Sequence, residues 1–108
     1  MNHSHSDELS KVLAAGMRSR LEEKARAEGA TALFIFGSRA RGDNRPDSDL
    51  DVFVDYDRTI KGRFSLIELA AIKDMIEEAT QLEVHITTRN SLHPDMRGRI
   101  EAEALRVF

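Results

Sequence analysis

The sequence predicts an α/β fold. Three observations carry that reading: a short apolar strand closed by glycine at 31–36, a second strand opened by Asp-x-Asp at 49–55, and amphipathic helical periodicity before, between and after the strand segments. Residues 1–6 are polar and expected to fray, and His3 and His5 belong to that start rather than to a site. From Asp7 to Glu28 the apolar residues Leu9, Val12, Leu13, Met17, Leu21 and Ala25 recur near helical spacing, and Gly29 supplies a stop. Thr31-Ala32-Leu33-Phe34-Ile35-Phe36 then reads as a buried strand, with Gly37 able to turn tightly and Ser38 placed to cap a short helix over 39–41.

The second strand alternates. Asp49 and Asp51 share one face, roughly 6.6 Å apart along the strand, while Leu50, Val52 and Val54 face the core. A loop over 56–62 leads into a helix over 64–80, carrying Phe64, Ile67, Leu69, Ile72, Met75, Ile76 and Ala79. Leu82-Glu83-Val84-His85-Ile86-Thr87 alternates as a third strand, and Pro94 opens a last helix with Met96, Ile100, Ala104 and Leu105 apolar.

The chemistry is concentrated between Gly37 and Asp51. A strand-to-helix turn of glycine and serine directs free amides and a hydroxyl toward an anion, and a triphosphate is a fitting guest. Two carboxylates on one strand face can hold Mg²⁺ beside such phosphates, because Mg²⁺ takes few protein oxygens and keeps the rest for water and phosphate. Asp43, Asp47, Asp49, Asp51, Asp55 and Asp57 stand against Arg45 alone, so the segment needs a cation or arginines from elsewhere to offset its repulsion. Arg39, next to the turn, is the first candidate to neutralise a triphosphate, ahead of Arg41. Taken singly, Gly-Ser is an ordinary turn and an Asp-rich stretch an ordinary loop. Their order and strand contexts make the combination specific.

Composition narrows the class. A chain of 108 residues forms one domain over 1–108, too short for a second substrate-binding domain. Hydrophobic residues at 41% and charged residues at 32% describe a globular protein rather than a disordered one. With no cysteine there is neither disulfide nor thiolate chemistry, and no apolar run reaches the length of a membrane span, so the default location is cytoplasmic. A net charge of −3, with arginines scattered along helices beside glutamates, argues against a long nucleic acid as substrate.

Gly37-Ser38, with ten residues between Ser38 and Asp49-Leu50-Asp51, resembles the GS-x10-DxD signature of the polymerase-beta-like nucleotidyltransferase superfamily. The small size and the tail, from Val84-His85-Ile86-Thr87 to Leu92-His93-Pro94, resemble its minimal nucleotidyltransferase branch. The resemblance implies a small, mixed, twisted sheet with the long helices on one face and the Asp face open. It also implies transfer of AMP from ATP with two Mg²⁺ ions on Asp49 and Asp51 and the phosphates on Gly37, Ser38 and Arg39. The implied partner is a HEPN-domain toxin, modified on a tyrosine, which makes the chain an antitoxin.

One position departs from the family pattern. A third acidic residue is expected on the third strand, and His85 stands there. Either His85 contacts the metal or takes a proton from the incoming hydroxyl, or Glu83, two residues earlier on the same face, reaches the metal through a small register shift. A lone histidine on a strand is more often a packed, hydrogen-bonded residue. Two other functions therefore stand beside the enzyme: an antitoxin that acts by binding alone, and a small-molecule nucleotidyltransferase, which the missing substrate domain disfavours.

Overall fold

The computed structural model describes residues 3–108, with side chains from residue 8 onward. Elements run in the order α1 (His3–Val12), α2 (Ala15–Ala27), β1 (Ala30–Phe36), α3 (Ser38–Arg41), β2 (Leu50–Tyr56), α4 (Leu66–Thr80), β3 (Val84–Thr88), a 3-10 turn (Arg89–Ser91), α5 (Pro94–Glu103) and β4 (Leu105–Arg106). The sheet has four strands in the order β3-β2-β1-β4. It is mixed: β1 pairs antiparallel with β2 and β4, and β2 pairs parallel with β3. Among the described residues no helix is long and apolar enough to cross a membrane.

Strand alternation divides the core in two. Leu33, Ile35, Leu50, Val52, Val54 and Val84 pack with Leu21 and Ala25 of α2 and Ile72 and Ile76 of α4, so the two long helices cover one face. The other face carries Phe34, Phe36 and Phe53, which pack with Leu92, with Ile100 of α5 and with Ala104 just after it; Leu105, expected in that helix, belongs to β4. Phe34 and Phe53 stack with centroids 4.8 Å apart. The Asp face is therefore open only at the end of β2 where Asp49 and Asp51 lie. A third helix closes the rest, because the apolar residues at 34, 36 and 53 alternate onto that side and have to be buried.

Local differences from the sequence reading have identifiable causes. The helix expected over 7–28 is two helices, broken where Ala14 takes an extended conformation (φ −67, ψ 151). Val12 and Leu13 still pack into the core from the break. Of the six residues expected to fray, 1 and 2 lie outside the described residues and 3–6 form the start of α1. Phe64 sits before α4 and stacks on Tyr56 at 4.4 Å, while Ser65 caps the helix in a reciprocal box with Glu68. Gln81 ends α4 in the left-handed region (φ 58), so the third strand begins at Val84 rather than 82. The short β4 is extended by Val107, whose amide donates to the Leu33 carbonyl at 2.7 Å.

Candidate active site

Strand pairing builds the site as a grid. In the parallel β2–β3 ladder Asp51 lies opposite His85 and Leu50 opposite Val84. One residue earlier on each strand stand Asp49 and Glu83, and the Leu50 amide donates to the Glu83 carbonyl at 2.9 Å. Period-2 alternation then puts Asp49, Asp51, Glu83 and His85 on one face at the mouth of the sheet. No register shift is needed to bring Glu83 there. Asp49, Glu83 and His85 each offer a ligand atom, and these atoms lie within 4.8 Å of one another. Oxygen and imidazole donors converging so closely fit a divalent cation.

The imidazole sits between the aspartates. His85 Nε2 is 3.2 Å from Asp49 Oδ2, and Nδ1 is 3.7 Å from Asp51 Oδ1. His85 itself is exposed, with 62% of its side chain in solvent. Burial pushes the Asp51 carboxyl above the usual carboxylate range, a shift opposed by His85 and reinforced by Asp49.

The glycine-serine turn abuts the same carboxylate. Gly37 occupies φ +76, ψ −157, a region that side-chain-bearing residues rarely adopt. A Cβ there would fall 2.5 Å from Asp51 Oδ2. Gly37 thus lets the turn close onto Asp51 as well as onto any ligand. The turn begins one residue earlier than expected: Gly37 is the N-cap and Ser38 the first helical residue, with no side-chain cap hydrogen bond. Only glycine tolerates this cap backbone, so Ser38 moves into the helix with its hydroxyl uncommitted to capping.

The arginines are engaged with protein groups. Arg39 donates from Nε and Nη2 to the Ser48 carbonyl at 3.0 and 2.8 Å, and from Nη2 to the Pro46 carbonyl at 3.3 Å. It clamps the loop that delivers Asp49. Arg41 Nη1 donates to both oxygens of Glu103 at 3.1 Å, and its Nε to Asp43 Oδ2 at 3.2 Å. Glu103 Oε2 also accepts from the Gly37 amide at 2.6 Å. Of the expected site residues, Gly37, Asp49, Asp51 and His85 come together, Ser38 flanks them, and the Arg39 guanidinium lies on the loop.

Glu103 was not foreseen. Its neighbours Ile100 and Ala104 pack on the phenylalanine face, and an i,i+3 relation to Ile100 was the available signal that it faces inward rather than pairing along its helix. Arg89 was also missed. It grips Asp55 with two bonds of 2.8 and 2.9 Å and lies 4.9 Å from the ring centroids of both Phe34 and Phe53. That arrangement ties the end of β3 to β2 beneath α5.

A family model described as nucleotidyltransferase domain matches residues 16–107, a span that contains both strands of the grid and the turn. The chain belongs to the nucleotidyltransferase domain family. Among relatives of this nucleotidyltransferase, a Methanocaldococcus jannaschii protein provisionally named protein adenylyltransferase MJ0435 is 38% identical over 80 residues, covering 74% of this chain and 82% of that one. Protein adenylyltransferase MntA of Thermococcus cleftensis is 26% identical over 101 residues, 94% of each chain. A solved structure provisionally described as a minimal nucleotidyltransferase superposes with a TM-score of 0.68 at 32% identity, over 82% of this chain and 87% of that one. A toxin–antitoxin crystal structure with AMP-PNP shares the fold at a TM-score of 0.64 and 15% identity, over 84% of this chain and 72% of the other.

Proposed function

We propose that this nucleotidyltransferase transfers AMP from ATP to a hydroxyl of a protein partner, a tyrosine of a HEPN-type toxin, and so acts as an antitoxin. The observation that carries the reading is the convergence of Asp49, Asp51, Glu83 and His85 beside the Gly37-Ser38 turn. The names of two relatives, both protein adenylyltransferases, support the reaction class. The toxin–antitoxin assembly and the AMP-PNP belong to a distant structural neighbour and motivate the choice of partner and nucleotide.

Asp49 and Asp51 are the proposed Mg²⁺ ligands, with His85 or Glu83 completing the set. Bound there, the ions supply positive charge to the phosphate oxygens and to the attacking and leaving oxygens. Gly37 and Ser38 orient the triphosphate through the turn, and Arg39 keeps Asp49 in place by holding the Ser48 carbonyl. The acceptor hydroxyl forms a bond to the α-phosphorus, the bond from that phosphorus to the bridging oxygen breaks, and pyrophosphate leaves. Where Glu83 completes the metal set, His85, exposed between the two aspartates, would receive the hydroxyl proton; where His85 is the ligand, that proton would pass to water.

A second reading draws on the same histidine. Where a third carboxylate would add negative charge, His85 is within 3.2 Å of Asp49 and partners it directly. A chain whose site has settled into that pair would neutralise its toxin by binding alone. Incubating the purified protein with Mg²⁺, ATP and a HEPN-type partner, then measuring pyrophosphate release for the wild type and for Asp49→Asn, separates the two. Transfer predicts release that requires both the partner and Asp49. Toxin neutralisation without any release would leave only the binding reading.

A further inference from the structure

We infer that His85 and Glu83, with Asp49, make this cation site selective for first-row transition ions such as Mn²⁺ and Co²⁺ over Mg²⁺, relative to a site built from carboxylates alone. The inference rests on the metal-assisted reading above and concerns which cation that site takes.

Three features of the grid lead to it. First, the ligand set is mixed: one imidazole nitrogen and carboxylate oxygens from two strands, with ligand atoms within 4.8 Å of one another. At a site with a nitrogen donor, affinity for first-row ions rises from Mn²⁺ through Co²⁺, whereas Mg²⁺ favours oxygen throughout and keeps much of its water. Second, His85 is accessible to solvent. Its side chain is 62% exposed, and both of its near neighbours are carboxylates, Asp49 at Nε2 and Asp51 at Nδ1. Either ring nitrogen can therefore meet a cation held by Asp49 and Glu83 while the other stays near a carboxylate. Third, Asp51 is partly drawn away. Its Oδ2 is the atom a Gly37 Cβ would meet at 2.5 Å, so this oxygen lies against the turn. Asp49, Glu83 and His85 have ligand atoms within 4.8 Å of one another, and Asp51 stands beside them with Oδ1 3.7 Å from His85 Nδ1.

The test uses the full chain with His3→Ala and His5→Ala, so that histidines at the start of the sequence do not contribute. Mn²⁺ binding is followed by loss of the free-ion electron paramagnetic resonance signal, with Mg²⁺ as competitor. Co²⁺ binding is followed by its visible absorption. Losing a partner that merely orients a ligand already costs about 10–100-fold in metal affinity. Replacing the ligand nitrogen by His85→Asp should therefore lower the preference for Mn²⁺ over Mg²⁺ by about tenfold or more and change the Co²⁺ spectrum, while Glu83→Gln should weaken both ions. Electron spin-echo modulation of bound Mn²⁺ should show nitrogen coupling before His85→Asp and none after it. An unchanged preference in His85→Asp overturns the inference, as does absence of nitrogen coupling in the parent chain, which depends on no site variant. Nucleotidyl transfer with Mg²⁺ alongside an unchanged preference would sink the inference and leave the function standing. A shifted preference without any transfer would do the reverse.

Discussion

Replacing Gly37 by alanine should damage stability and the metal site together, for reasons that can be separated. The backbone at φ +76, ψ −157 belongs to a region in which a residue with a side chain is strained, at a cost on the order of 1–3 kcal/mol. The new Cβ would also fall 2.5 Å from Asp51 Oδ2, so the carboxylate has to swing away. Leaving its rotamer costs roughly a further 0.5–1.5 kcal/mol. For a domain of this size each kcal/mol lowers Tm by about 4–8 °C, so a fall on the order of 10 °C is expected. Displacing Asp51 should also abolish metal-dependent ATP binding. Differential scanning calorimetry of Gly37→Ala, Asp51→Ala and the double variant apportions the effect. In the Asp51→Ala background the collision is gone and only backbone strain remains, so Gly37→Ala should cost less there than in the wild type. A Gly37→Ala protein that melts within ~2 °C of wild type and binds Mg²⁺-ATP normally would refute both halves of the reasoning.

Four further outcomes follow, three from contacts outside the carboxylate grid and one from Asp51 within it. Glu103→Gln retains an acceptor for the Gly37 amide but loses the charge facing Arg41, whereas Glu103→Ala loses both. Hydrogen bonds to charged groups are worth about 1.5–3 kcal/mol, so urea unfolding should rank the alanine variant below the glutamine variant, with ATP affinity falling in the same order. Ser65→Ala removes the α4 cap and should cost about 0.5–2 kcal/mol in the same assay. Ser65 and Arg63 hold the Glu68 carboxyl at a pKa of about 2, below its ordinary 4.5. The stability this adds is complete above pH 4.5 and is lost as pH falls toward 2, so Glu68→Gln should flatten the acid limb of a Tm-against-pH curve. Because burial raises the Asp51 carboxyl, the ionised form is penalised in the native state. Asp51→Asn should melt higher than metal-free wild type at neutral pH, and acidification should erase the gain.

The parts of the fold legible in the sequence are those where local signals and tertiary role coincide. Thr31 to Phe36 is apolar, ends in glycine and opens on Asp-x-Asp ten residues past the turn, so strand, turn and carboxylates could be read together. Pro94 marked the start of α5 because proline suits the first helical position. Glu103 could not be read in the same way: it lies 66 residues from the Gly37 amide it accepts from, and a glutamate beside arginines on a helix has an ordinary surface explanation. The break between α1 and α2 carries no proline, and Ala14-Ala15-Gly16 is only a weak interruption. The second core was hidden because Phe34, Phe36 and Phe53 alternate with residues already assigned to the first, and their cover, α5, arrives from the far end of the chain. Glu83 was visible as a candidate. What could not be read was the parallel pairing of Leu50 with Val84, which puts Glu83 beside Asp49 with no shift.

Following the α-phosphorus of ATP tests the proposed reaction most directly. The purified chain, a HEPN-type partner and a divalent cation are incubated with ATP labelled at either the α- or the γ-phosphate, and the partner is then examined for label and by peptide mass spectrometry. Nucleotidyl transfer through Asp49 and Asp51 predicts that the α-label alone enters the partner, as one adenylyl group on a tyrosine, and that Asp49→Asn and Asp51→Asn abolish it. Entry of the γ-label, or α-labelling that persists in both variants, would contradict the assignment of this reaction to this site.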